Sequence, residues 1–299
     1  MRRPSLLLAS GALTLAAAAC APANDASTTA SSTENSTAGT SAGASTGADA
    51  CAKESLKLTT PGKLTIGTDK PAYEPWFKND DPSSGQGFES AVAYAVAGQM
   101  GFTRDEVAWT VVPFDSSFAP GPKQFDFDVN QVSITPERAK AVDFSQGYYT
   151  VKQGVVALES GRYASATSLA DLKDAKIGVQ AATTALQAVR SVIQPAKDPS
   201  VFNQQVDVIT ALKNKQIDAI VVDLPTAFYV TAAQVKGSKI VGQFAATGGE
   251  PEEFGLLFQK GSSLVSCVDK ALGELRSSGE LAKIEGDWLT AAAGAPELK

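Results

Sequence analysis

The stretch Ser133-Ile134-Thr135-Pro136-Glu137-Arg138 ends an apolar run and opens a helix. Thr135 suits the capping position and Pro136 the first helical position. Arg138 then falls in the first turn, where the helix dipole disfavours a cation. A ligand carboxylate seated there removes the conflict. It would accept free backbone N–H groups and a bidentate fork from Arg138, with the Ser133 and Thr135 hydroxyls as further donors. The plainer alternative pairs Arg138 with Glu137, Asp143 or another surface acid, and Asp143 could also orient it. A second stretch, Gln180-Ala181-Ala182-Thr183-Thr184, ends another apolar run and opens another helix. Its orphan N–H groups could hold the same carboxylate across a cleft, with Thr183 either a contact or simply a cap.

An amine needs the opposite chemistry. Asp223 closes the run Ile217-Asp218-Ala219-Ile220-Val221-Val222, where an unpaired carboxylate is costly and a ligand ammonium would supply the partner. A cap ahead of Pro225 is the alternative, and both roles can hold together. Asp69 follows Leu64-Thr65-Ile66-Gly67-Thr68 and either reads a ligand side chain or caps a turn. Tyr73, Trp76 and Phe77 come next; aromatic walls bury the aliphatic part of a ligand or stack on a cation, and Trp76 is the foremost candidate. Glu74 would favour a basic ligand if it faced inward. Asn130 and Gln131 could contact a polar side chain or only complete a strand end.

Alternating apolar runs and helical periods predict an α/β fold. Strands are expected over 63–68, 107–113, 127–134, 154–158, 176–180, 219–222, 239–241 and 253–258, and helices over 87–100, 136–141, 184–193, 209–215, 225–235, 264–278 and 281–291. Phe88, Val92, Ala95 and Val96 recur at helical spacing and belong to the core. Pro120, Gly121 and Pro122 break any long helix over 114–128, leaving a loop or one short turn.

The chain has 299 residues, 32 acidic and 26 basic, for a formal charge of −6. Without basic blocks it is poorly suited to nucleic acid. Histidine is absent, which removes Ser-His-Asp and Cys-His schemes and most catalytic zinc sites; no cofactor or metal is expected. Residues 1–20 read as a secretory signal, with Arg2 and Arg3 ahead of an apolar run too short to span a bilayer. Ala17-Ala18-Ala19-Cys20 resembles a bacterial lipobox, in which Cys20 becomes the lipidated first residue; Ala17 stands where leucine is commoner. An ordinary signal cleaved after a nearby A-x-A is the alternative. Residues 21–50 are small and polar, a tether spanning about 30 Å. With Cys20 lipidated, Cys51 and Cys267 remain as a pair in an oxidising compartment and are expected to form a disulfide.

From Pro61 to Leu289 the chain resembles the amino-acid-binding family of extracellular solute-binding proteins, family 3, the capture components of ABC importers. The residues carrying the resemblance are GKLTIGTDKPAYEPW (62–76), GFESAVAYAVAGQMG (87–101), VSITPERAKAVDFSQGYYT (132–150), SLADLKDAKIGVQAATTA (168–185), IDAIVVD (217–223) and EFGLLFQKGSSL (253–264). The resemblance implies a two-lobed periplasmic-binding-protein-like fold of type II with paired hinge crossovers. Lobe one would comprise 51–152 and 247–299, and lobe two 153–246. It places Arg138 on the ligand α-carboxylate, Thr183 beside it with Gln180 nearby, and Asp223 on the α-amino group. The 114–125 segment departs from the family, which usually has a helix there.

The implied protein is a monomer that binds an amino acid and no nucleic acid. It docks on a membrane permease and is held to the outer face of the cell membrane through Cys20. An alternative on the same scaffold is a dehydratase of the cyclohexadienyl type, with Glu74, Asp69 or Asp223 as proton donor. An extracellular sensor domain would need a transmembrane or signalling segment in the same chain.

Overall fold

The computed structural model describes residues 50–246, 251–289 and 294–299. The signal, the tether and Cys20 lie outside them. The first part of the chain forms β1 (Leu64–Thr68), α1 (Phe88–Gln99), β2 (Val107–Val111), α2 (Phe114–Ser117), β3 (Phe127–Asp128) and β4 (Val142–Val151). There follow β5 (Gln153–Leu158), β6 (Ile177–Gln180), α3 (Thr184–Ala188), β7 (Ser200–Phe202), α4 (Gln205–Lys213), β8 (Ala219–Asp223), α5 (Leu224–Tyr229) and β9 (Ser238–Phe244). The chain then returns through β10 (Glu252–Gln259), α6 (Val265–Ser277) and α7 (Glu280–Leu289).

Two five-stranded sheets result, ordered β2-β1-β3-β10-β4 and β7-β6-β8-β5-β9. In the first, β1 runs parallel to β2 and β3, whereas β10 is antiparallel to β3 and β4. In the second, β6 runs parallel to β7 and β8, and β5 is antiparallel to β8 and β9. The chain leaves the first sheet at Val151 and enters the second at Gln153, then returns between β9 and β10. This is a mixed α/β fold of two lobes, as the resemblance implies.

The cores follow from the apolar runs. Helices α1, α6 and α7 cover one face of the first sheet, burying Phe88, Val92, Val96, Val268, Leu272 and Ile284 against Leu64, Ile66 and Phe254. Both faces of the second sheet are buried, by Val155, Val179 and Val221 on one side and Val156, Ile220 and Val222 on the other. Strands covered on both sides read as unbroken apolar runs, which is why β5 and β8 are evident in the sequence.

Several elements differ from expectation. The strand predicted over 127–134 pairs only at Phe127–Asp128, with an isolated bridge between Ser133 and Phe254; Gln131 between them takes φ +49° and breaks the extended backbone. The helix expected over 136–141 is a single 3₁₀ turn, Arg138–Lys140. The 114–128 segment, by contrast, holds one short helical turn, α2, as expected. β4 and β7 were not expected. Helices α3 and α5 each continue into a π turn, Val189–Ile193 and Val230–Gln234.

Cys51 and Cys267 are disulfide-bonded, with Cα atoms 5.3 Å apart, joining the start of the folded chain to α6. The expected assignment of 247–299 to lobe one fails for its last residues, which lie on lobe two. Glu297 bridges Gln243 in parallel at the free edge of β9, Gln243 N–H donates to Pro296 O, Leu298 N–H donates to Gln243 O, and Leu169 N–H donates to Lys299 O. The reason is apolar: Leu298 is buried in the lobe-two core. Gly242 makes room for it, since a Cβ there would stand 2.6 Å from Leu298 Cγ and 2.7 Å from Pro296 O.

Candidate functional site

Arg138 lies between the lobes. Arg138 Nη1 donates to Ser133 O at 2.8 Å in lobe one, and Nη2 to Ala182 O at 2.9 Å in lobe two. The guanidinium stacks near Phe118 (4.5 Å) and Phe114 (5.5 Å). Burial pulls its pKa down to about 10 against the pull of Glu252 and Asp223, so it is charged at neutral pH. Two of its five N–H donors are spent on these carbonyls, which leaves three. Thr135 Oγ1 accepts from Arg138 N–H at 3.2 Å, and Thr135 does not line the cavity. Asp143 is engaged elsewhere, with Lys260 Nζ at 2.7 Å and Gly261 N–H at 2.6 Å.

The lobes are closed on a shared cavity. Ser133 Oγ approaches Thr184 Oγ1 at 3.4 Å across the cleft. Lobe one contributes Asp69, Tyr73, Phe77, Asn130, Ser133 and Arg138 to the wall, and lobe two Gln180, Thr183 and Asp223. Thr183 caps α3, accepting from Leu186 N–H at 3.1 Å and donating to Gln180 O at 2.8 Å. The cap and a place on the cavity wall therefore coexist. Gln180 lines the wall while its Nε2 reaches Asn203 O at 3.4 Å.

Asp223 occupies the N-cap position of α5 but makes no side-chain capping bond. It accepts instead from Gln153 Nε2 at 2.9 Å. Burial, with Glu252 nearby adding repulsion, pushes its carboxyl up to about 8. An unneutralised carboxyl in such a place holds a proton until a cation arrives. Asp69 is half-buried, its carboxyl raised by burial, and its oxygens accept Lys70 N–H at 2.6 Å and Phe114 N–H at 3.2 Å.

Trp76 is not a cavity wall. Its ring is buried among Phe88, Tyr149 and Phe254 with centroids 5.6–6.0 Å away, and Nε1 donates to Thr226 Oγ1 of lobe two at 2.9 Å. A large apolar ring with one polar handle gains most in such a place. Tyr73 and Phe77 face the cavity instead. Glu74 does not; its nearest bond, from Asn79 N–H, spans 3.4 Å.

Other contributors carried no local signal. Glu252, at the start of β10, is buried and accepts from Ser133 Oγ at 2.6 Å and Gln153 Nε2 at 3.2 Å. A polar chain Ser133–Glu252–Gln153–Asp223 thus links the two lobes' sides of the cavity wall. Thr68 and Phe114 also line the wall. Thr68 Oγ1 and Asn130 Nδ2 are buried without hydrogen-bond partners among the described residues, an arrangement that a bound polar group would satisfy. No cluster among the described residues suits a metal ion.

Known proteins resemble this chain along most of its length. Residues 64–291 match the bacterial extracellular solute-binding proteins, family 3. The arginine-binding extracellular protein ArtP of Bacillus subtilis (strain 168) is 28% identical over 232 residues, covering 76% of this chain and 86% of that protein. A probable histidine-binding protein of Campylobacter jejuni is 31% identical over 224 residues, covering 72% and 80%. The solved structure of an ancestral arginine-binding protein bound to arginine superposes with a TM-score of 0.64 at 31% identity, covering 76% of this chain and 98% of that one. The fold is the type II periplasmic-binding arrangement.

Proposed function

Because this chain belongs to the bacterial extracellular solute-binding proteins of family 3, we propose that it captures an α-amino acid outside the cytoplasm and delivers it to an ABC permease. The observation carrying this reading is that Arg138, Thr183 and Asp223 line one interlobe cavity. A zwitterion would set its carboxylate against the free donors of Arg138 and the mouth of α3, and its ammonium against Asp223. Closure of the lobes would then bury it and present a composite surface to the permease. The relatives named for arginine and histidine support an amino-acid ligand. In the same reading Cys20 is the lipidated anchor, the chain works as a monomer, and no chemistry is performed on the ligand.

The test is isothermal titration against twenty amino acids. One or a few should bind one-to-one, with micromolar affinity or better, about −8 kcal/mol. Turnover of prephenate or arogenate without amino-acid binding would replace this reading with the dehydratase.

Binding should also release a proton. The unliganded closed site holds Asp223 protonated below about pH 8, and the ligand ammonium favours the ionised form. Affinity should therefore weaken as pH falls from above 8 towards 6, by at most about tenfold per unit. Titrations in two buffers of different ionisation enthalpy measure the proton directly. A flat profile with no proton released would remove Asp223 from the amine site.

A further inference from the structure

Gln131 is a non-glycine residue in the left-handed region, φ +49°, on the cavity wall. Such a conformation is costly and needs the surroundings to enforce it. The enforcing group is Glu89, fully buried on α1. Its Oε1 accepts Gln131 N–H at 2.7 Å and the Tyr148 hydroxyl; its Oε2 accepts Gln131 Nε2. Gly87, at φ +96°, lets α1 begin directly against the Trp76 loop and so places Glu89.

An ionised carboxylate only accepts hydrogen bonds. Facing Glu89, the Gln131 amide must therefore turn its NH₂ inward, and its Oε1 has no partner among the described residues. We propose that Glu89 is a positioning residue for ligand selectivity: by fixing the Gln131 amide it presents Oε1 as an acceptor, so the pocket prefers amino acids whose side chains carry N–H donors. Asp69 lines the same wall and offers a second acceptor to such a side chain. Burial raises the Glu89 carboxyl to about 7, against the bonds from Tyr148 and Gln131. At pH 8 it is therefore mostly ionised. The inference rests on the amino-acid-binding reading.

The experiment titrates the full chain at pH 8 with L-arginine, L-lysine, L-histidine and L-glutamine, and with L-glutamate, L-aspartate, L-methionine and L-leucine. The wild type should favour one of the first four. Glu89→Gln lets the Gln131 amide turn over and should weaken that ligand at least tenfold. In a Gln131→Met background the same change should alter affinity by no more than twofold. Gln131→Met alone, which leaves Glu89 in place, should also cost at least tenfold, and it covers the case in which Glu89→Gln does not fold. Equal losses from Glu89→Gln in both backgrounds, or Gln131→Met binding within twofold of wild type, overturn the inference. So does a wild type that binds only the last four ligands, which leaves the capture function standing. Binding of none of the twenty amino acids overturns the capture function itself.

Discussion

Replacing Arg138 with alanine is expected to weaken every amino acid the protein binds by about 2–5 kcal/mol, because truncating one partner of a buried charged pair costs that much. At about 1.4 kcal/mol per tenfold, this is a loss of some thirtyfold to several thousandfold. The loss should be common to all ligands, since the α-carboxylate is common to all. Part of it has another source. The guanidinium also joins Ser133 O to Ala182 O across the cleft, so its removal loosens the closed form and strands two carbonyls. Arg138→Lys separates the contributions. A lysine keeps the charge and loses the planar fork, so it should recover only part of the affinity. Titration of both variants decides the matter, and binding within about twofold of wild type in Arg138→Ala would overturn the carboxylate assignment.

The second large effect is on stability. The disulfide joins residues 216 apart in sequence, and the chain-entropy model assigns about 5 kcal/mol to so long a loop. Removing it, as the Cys51→Ser, Cys267→Ser double variant, should cost about 2–5 kcal/mol. At roughly 2–4 °C per kcal/mol for a domain of this size, the melting temperature should fall by some 5–20 °C. Neither cysteine lines the interlobe cavity, so affinity at 25 °C should stay within about twofold. Melting curves with titrations on the same sample test both halves. A large affinity loss at full stability would mean that the α6 end of lobe one is coupled to the site.

Local pattern made most of the architecture legible. The unbroken apolar runs of β5, β6 and β8 and the helical period of α1 announce themselves because each is buried along its length. β4 does not. In Val142–Val151 the buried positions fall three apart rather than two, and its pairing with β10 is interrupted by register shifts at Gly255. No alternation survives to be read. The same limit governs the site. Arg138 and Asp223 stand out because each conflicts with its own local setting, a cation at a helix start and an acid ending an apolar run, and Thr183 because it opens a helix after such a run. Glu252 and Glu89 do not, since their partners lie more than forty residues away in sequence. Trp76 misled for the reverse reason: a loop aromatic beside a cleft looks like a ligand wall, while the indole reaches a core that only the fold assembles.

The terminal residues bear on how the molecule opens. The described chain joins the two sheets at Lys152, and its described residues stand on opposite sheets again at Phe244 and Glu252 and at Leu289 and the segment carrying Glu297. On the second sheet these points meet β5, its neighbour β9 and the strand-like tail beside β9. The tail thus adds one more main-chain attachment, beside β9, to those through which any opening of the lobes must act.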